Sequence, residues 1–380
     1  MLEEPATIEL SSLNDSSAPP GAQASNNNND NTPSEIPEST LESQNRESAV
    51  ALPPVDGGMQ AWTFVAAAFV LEALVWGFGS SYGIFQDYYT HNPPFNTSSE
   101  TAIAAVGTVG LAIPYIEVIG ILVIYERWPH ITKPTMWVAL AVSCGSLALS
   151  SFATKVWHLI ILQGVVFGMA GGALYAPVLV WLSEWFVRRR GLAGSIIFGG
   201  LGAGGAVFPL LINGLLSATG SWQWTLRILA LVIAVSGSVA LWFVKPRVPI
   251  VRRQQGQVKP VNMSFMKTPL YLSVEVTIFI QAIAYFPVSL YMPTYTSAVG
   301  LPIINGTVVL AVFNIASVVG QVIFGHLCDR MPYTRVMIIS GVGSALSAYL
   351  LWGFAHSLWL IFLFVVVFGA VVSMSFTSIS

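Results

Sequence analysis

Few residues in this chain can do chemistry, and most stand where a charge is costly. Glu72, Glu117 and Glu275 each interrupt a long apolar stretch. An ionised carboxylate at the centre of a bilayer helix costs about 2.5–3.5 kcal/mol on insertion scales, so it must face the bundle interior or carry a proton. Such an acid suits solute binding or proton coupling, and Glu72, near the middle of its stretch, is the first candidate. Glu275 lies within snorkelling reach of Lys267, which favours a structural role, and Glu117 reads likewise. Tyr82, Tyr175, Gln281, Tyr285 and Asn314 place hydrogen-bonding groups at similar depth, as candidate solute contacts beside Glu72. Arg227 stands near one membrane edge as either a snorkelling anchor or a further solute contact.

A second group of charges lies between apolar stretches: Glu126-Arg127, Glu184 with Arg188–Arg190, and Asp329-Arg330 with Arg335. These are candidates for an inner gate, a charge latch holding two helical units together. An aspartate near the start of the fifth span meets a positive helix end, and Glu184 stands one turn before the arginines. Arg188–Arg190 read more readily as anchors at the membrane surface. Five histidines lie scattered without ligand spacing, so no metal, cofactor or enzymatic site is expected. Gly200-Leu201-Gly202-Ala203-Gly204-Gly205 matches G-x-G-x-x-G but lacks a preceding strand and an opening helix. Close approach of membrane helices explains it better. Cys144 and Cys328 form no disulfide framework and read as buried spectators.

The elements that must position these residues are membrane helices. Hydrophobic residues make up 54% of the 380 and charged residues only 9%, against about 25% charged in soluble domains. A water-facing surface is therefore small. Runs of about 20 mostly apolar residues, the length that crosses a bilayer, occur near 62–86, 102–124, 135–154, 158–183, 191–216, 225–244, 270–292, 303–325, 336–355 and 358–379. The expected fold is an all-α polytopic bundle of about ten spans. No signal peptide is expected, since the first apolar run begins near Trp62. Residues 1–55 form an acidic tail rich in Asn, Ser and Pro, with Arg46 as its one base, and are expected to be disordered.

Arg127, Lys133, Arg188, Arg189, Arg190, Lys245, Arg247, Arg252, Arg253, Lys259, Lys267, Arg330 and Arg335 all fall in loops on the side of the tail, whereas Lys155 and Arg227 fall on the other. That asymmetry places the tail in the cytoplasm. The Asn96-Thr97-Ser98 sequon then lies outside, open to glycosylation. The organisation expected is a tail (1–55), a six-helix half (56–244), a basic linker (245–269) and a second half (270–380).

The halves carry traces of duplication. Glu126-Arg127-Trp128-Pro129 and Asp329-Arg330-Met331-Pro332 are offset by 203 residues, as are Glu72 and Glu275, and Tyr82 and Tyr285. Trp157-His158-Leu159-Ile160 parallels Trp359-Leu360-Ile361 at an offset of 202. Such repeats mark transporters built from two six-helix halves. Carried onward, the offset sets Ser380 against Val178 in the fourth span, so the second copy is expected to be unfinished, with ten of twelve helices present.

Asp56-Gly57-Gly58-Met59-Gln60-Ala61-Trp62, Tyr82-Gly83-Ile84-Phe85-Gln86-Asp87-Tyr88-Tyr89, Gly171-Gly172-Ala173-Leu174-Tyr175-Ala176-Pro177, and Glu184-Trp185-Phe186-Val187 running through Arg188–Arg190 into Gly191-Leu192-Ala193 together resemble the fungal form of the monocarboxylate-porter family within the major facilitator superfamily. Tyr285-Phe286-Pro287 and Tyr291-Met292-Pro293-Thr294-Tyr295 look like that family's seventh helix. The resemblance implies a secondary carrier whose two halves alternate access to a midplane site, with a small organic solute and protons as partners and no nucleic acid. It implies no oligomer, and plasma membrane is the default location. The family's carboxylate carriers use an Asp and an Arg in the eighth helix where this chain has Ser317 and Gln321. That departure favours efflux of a metabolite over proton-coupled import of a monocarboxylate. A non-transporting sensor or scaffold, or an inactive truncated product, is the reading from another class.

Overall fold

The computed structural model describes residues 52–248, 264, 267–300, 303–355 and 357–372. Most of the tail, most of the linker and the last residues of the tenth apolar run lie outside the described residues. The rest is helical, in ten rods among the described residues. These are α1 (Met59–Ser80, resumed as Tyr82–His91), α2 (Glu100–Arg127), α3 (Thr132–Ser150), α4 (Val156–Trp185), α5 (Arg190–Thr219), α6 (Trp222–Phe243), α7 (Pro269–Ala298), α8 (Ile303–Cys328), α9 (Tyr333–Leu350) and α10 (Leu358–Val372).

Seven helices among the described residues are long and apolar enough to cross a membrane: α1, α2, α4, α5, α6, α8 from Val308, and α9 with its following turn to Phe354. The count of ten crossings expected from the sequence is thus met only in part. α3 opens on Thr132 and Lys133, carries Ser143, Ser146 and Ser150, and stops at Ser150 rather than at 154. Those hydroxyls turn back onto the carbonyls of Leu140, Ser143 and Ser146, local bonding that competes with helix propagation. α10 is described for 15 residues only.

Side-chain partition shows which solvent the helices fit. Leu231, Val235, Val239 and Trp242 form an exposed apolar stripe down α6, and Ile338, Val342, Leu346 and Tyr349 form another down α9. A water-soluble helix exposes its polar face and buries its apolar one. Here the pattern is reversed, as lipid contact requires.

Packing binds α1–α6 into one core and α7, α8 and α10 into another. Glycine sets the closest crossings. A Cβ on Gly77 of α1 would lie 2.5 Å from Gly204 Cα of α5, so the two backbones touch, which only small residues permit. α5 also carries Gly199, Gly202 and Gly205 toward α8: a Cβ on Gly202 would meet Val318 at 2.6 Å and the Asn314 carbonyl at 3.0 Å. The glycine run of α5 therefore serves two faces, with Gly200 and Gly204 against α1 and Gly199, Gly202 and Gly205 against α8. α5 and α8 are the main seam between the two cores.

Helix ends are closed locally. Ser99 Oγ accepts the Ala102 N–H at the start of α2, a serine N-cap. Gly220, at φ 59°, ends α5 in the left-handed conformation that glycine adopts without steric cost. Lys133 Nζ donates to the carbonyls of Leu241 and Val244, setting a cation at the carboxyl end of α6.

Candidate functional site

Helices α1, α2 and α4 bring an acid and an aromatic cluster together, with Tyr115 at its half-exposed edge. Glu72 of α1 is 3% exposed. It sits where α1 crosses α5, so that a Cβ on Gly200 would lie 2.8 Å from Glu72 Cβ and 2.4 Å from the Phe69 carbonyl. Its Oε2 has no hydrogen-bond partner among the described residues. Its electrostatic neighbours are the hydroxyls of Tyr115 on α2 and Tyr175 on α4. Tyr285 of α7 belongs to the second core, against Phe313 of α8.

One turn beyond Glu72, the Trp76 ring packs at 4.7 Å from Tyr115 and edge-on at 5.8 Å from Tyr175. Tyr175 lies 6.4 Å from Phe198 of α5, and Tyr285 lies 5.5 Å from Phe313 of α8. One acid ringed by aromatic faces and hydroxyls, with no fixed cation beside it among the described residues, can hydrogen-bond and stack on a flat organic solute. It has no strong grip on a carboxylate.

The other expected contacts with described side chains make their bonds elsewhere. Tyr82 donates its hydroxyl to the Ile103 carbonyl at 2.9 Å and packs on Gly107, tying α1 to α2. Arg227 donates from Nε to Ser151 Oγ at 2.9 Å, its guanidinium lying 4.8 Å over Phe152 and 4.9 Å over Trp224. These contacts make it an anchor between the end of α3 and α6. Asn314 donates to the Gly205 carbonyl at 3.5 Å across the seam. The Gln281 side chain lies outside the described residues. Ser317 and Gln321 are 2% and 4% exposed, and neither Ser317 Oγ nor Gln321 Oε1 has a hydrogen-bond partner among the described residues. With Asn314 they form a polar row on α8 against the glycines of α5.

Two contributors escaped sequence reasoning. Tyr115 follows Pro114 in an apolar run and gave no periodic signal. Gln163, 3% exposed, lies in a π-helical stretch of α4 (Ile160–Val166), and neither of its amide atoms makes a close hydrogen bond among the described residues. It faces a small cavity with Trp76, Tyr82 and Gly110. A polar residue inside the 158–183 run was the available clue, and π-bulges often mark functional positions. Glu117 lies on Gly172 of α4, where a Cβ would be 1.9 Å from its Oε1.

At the basic end two of the expected gate carboxylates accept backbone N–H groups. Asp329, just past α8, accepts the Gly191 N–H at 2.7 Å on Oδ1 and the Leu192 N–H at 2.9 Å on Oδ2. A carboxylate thus caps the first turn of α5 and joins the cores through its helix dipole. Glu184 Oε2 accepts the backbone N–H groups of Arg247 and Val248 at 3.1 and 3.2 Å. Glu126, Arg127, Arg188, Arg330 and Arg335 are exposed, and among the described residues no ion pair joins them. Asn96 is exposed, beside the buried anchor Phe95, which packs 5.3 Å from Trp222.

The apolar exterior, the helices long enough to cross a bilayer and the near absence of charge within them define a multi-pass α-helical membrane protein. The Major Facilitator Superfamily model matches residues 64–380, and the chain belongs to that family. It is 25% identical over 332 residues to the uncharacterized transporter ESBP6 of Saccharomyces cerevisiae, covering 85% of this chain and 49% of that protein. It is 27% identical over 307 residues to the MFS-type transporter pynF of Aspergillus niger, covering 79% and 68%. It is 23% identical over 312 residues to the aspyridones efflux protein apdF of Emericella nidulans, covering 80% and 62%. The chain spans about half the length of the first and about two thirds of the others.

Proposed function

We propose that the chain is a secondary transporter, not an enzyme, that exports a small organic metabolite by alternating access. Its α1–α6 and α7–α10 units would tilt about the α5–α8 seam, with Glu72, Tyr115, Tyr175 and Tyr285 contacting solute. The carrying observation is that Trp76 of α1 packs on Tyr115 of α2 and Tyr175 of α4 one turn from the buried Glu72, with no cation beside that acid among the described residues. An aromatic, weakly charged site fits a neutral or bulky metabolite better than a lactate-like anion. The resemblance to the aspyridones efflux protein apdF supports the same direction. The monocarboxylate-porter branch of the family, ten membrane crossings, a cytoplasmic amino terminus and the plasma membrane belong to this reading.

Proton-coupled import is the second reading, and the buried carboxyl of Glu72 is the observation that favours it, since a lone acid at that depth exchanges charge by taking up a proton. The test is to delete the gene and compare metabolites inside cells and in the medium with the parent strain. One metabolite accumulating inside and fading outside is the expected result. A supplied acid left unused in the medium would overturn export in favour of import.

A further inference from the structure

The turn between α4 and α5 is held from two sides, and one of them lies in the segment before α1. Asp56 Oδ1 accepts three consecutive backbone N–H groups, from Val187 and Arg188 at 2.8 Å and from Arg189 at 3.0 Å. Its own N–H donates to the Trp185 carbonyl at 3.0 Å, and its φ of 61° lies in the left-handed region that turns the carboxylate back over the loop. Successive N–H groups converging on one oxygen form an anion nest. The nest is built from this chain's own residues and filled by its own carboxylate.

The next donors along the chain are those of the gate: Gly191 and Leu192 go to Asp329. Two carboxylates, one before α1 and one after α8, thus grip adjoining stretches of a single turn. The fit at the gate is tight. A Cβ on Gly191 would lie 2.7 Å from both Asp329 Oδ1 and the Gly325 carbonyl. A shift of about 1 Å in the Gly191 and Leu192 donors would take them out of hydrogen-bond range of Asp329, and residues 187–189 lead directly into them. The surroundings hold the segment in turn: Arg247 Nε donates to the Pro53 carbonyl at 2.9 Å, Trp185 Nε1 donates to the Lys245 carbonyl at 2.9 Å, and Trp62 packs edge-on against Phe186 at 5.4 Å.

We propose that Asp56 is a positioning residue of the inner gate: it fixes the 187–189 turn so that the Gly191 and Leu192 N–H groups meet Asp329. This rests on the reading of the Asp329–α5 contact as a gate. Through Asp56, the segment leading into α1 reports on, and biases, the closure of the two units at the basic end.

Cys328 supplies a native reporter, because its Cβ lies 3.2 Å from the place a Gly191 Cβ would occupy, under the start of α5. Of the two cysteines, replacing Cys144 with Ser leaves it alone. The experiment measures N-ethylmaleimide labelling of Cys328 in the full chain reconstituted in lipid nanodiscs, each rate divided by that of the same variant after denaturation, which carries the same neighbouring charge at residue 329 and so cancels its direct effect on the thiol. Asp329→Asn should raise the rate roughly tenfold, the loss expected when charged hydrogen bonds become neutral ones. Asp56→Asn should raise it several-fold, and Asp56→Ala more. Combined with Asp329→Asn, Asp56→Asn should add little, because both act on one contact.

If Asp56→Ala does not yield a monodisperse protein, the Asn variant alone decides, since it keeps an acceptor of the same shape. Faster labelling with Asp329→Asn but an unchanged rate with Asp56→Asn overturns the positioning role and leaves the gate standing. So do independent, multiplying effects in the double variant. An unchanged rate with Asp329→Asn overturns the gate itself, and the role of Asp56 falls with it.

Discussion

Replacing Asp329 with Asn should shift the protein toward the state open at its basic end, and the size of the shift follows from two hydrogen bonds. The wild-type carboxylate accepts N–H groups at 2.7 and 2.9 Å at the first turn of α5. A hydrogen bond to a charged group contributes about 1.5–3 kcal/mol, and the pair shares one carboxylate at a half-exposed position, so the two do not add fully. Asparagine keeps one acceptor oxygen and loses the charge that favours the helix end. A net loss of about 1–2 kcal/mol is the outcome, roughly a 5–30-fold change in the open-to-closed ratio. Spin labels at His130, exposed beyond α2, and Thr334, exposed at the start of α9, report on opposite units at that end. Electron–electron distance measurements with both native cysteines removed should show the longer population grow by that factor. Identical distributions in the two proteins would refute the idea that this contact closes the gate.

Further outcomes follow from the same geometry. Gly200→Val should lower the melting temperature of the purified protein by the equivalent of about 1–3 kcal/mol of overpacking, because its Cβ meets the Phe69 carbonyl and Glu72; an unchanged melt would contradict the close α1–α5 crossing. Burial raises the Asp56 carboxyl, but the backbone N–H groups of Arg189, Arg188 and Val187 and the charge of Arg188 outweigh it and hold its pKa below the ordinary value. A depressed folded pKa stabilises above the unfolded value near 4 and is lost as pH falls through the folded one. Cys328 protection, taken at each pH as the labelling rate relative to the denatured chain, should therefore be flat from about pH 7 to 5 and fail only below about pH 4, and a loss of protection near pH 6 would show that another group controls it. Asn96 should carry glycan in a eukaryotic host, seen as a mobility shift with glycosidase that Ser98→Ala abolishes, and no shift would count against an outward-facing first loop.

Much of the fold was legible because apolar runs and bilayer thickness are tied by simple length. The ranges of α1, α2, α4, α5 and α6 follow from that rule. It failed at the end of α3, where serine hydroxyls competing for carbonyls shorten a run that hydropathy alone extends to 154. Glu72 was legible as a buried acid, since carboxylates seldom interrupt such runs without cause. Its partners were not, because Tyr115 and Tyr175 reach it from helices whose crossing angles no local pattern encodes. The glycine run of α5 announced close packing, yet its division between α1 and α8 depends on register. Asp56 could be noted as part of a motif, but the three N–H groups it caps lie more than 130 residues away. Contacts at that separation are set by topology, and the 203-residue repeat offers only its outline.

The most direct test is flux. The metabolite found by gene deletion would be loaded into vesicles bearing the purified full chain, with Glu72→Gln as a matched variant of equal reconstitution. We expect the wild type to move it well above empty vesicles, and the Glu72→Gln variant to move little while remaining folded and inserted. Flux through the wild type no greater than through empty vesicles would contradict transport by this chain, and equal flux through both proteins would remove Glu72 from the site.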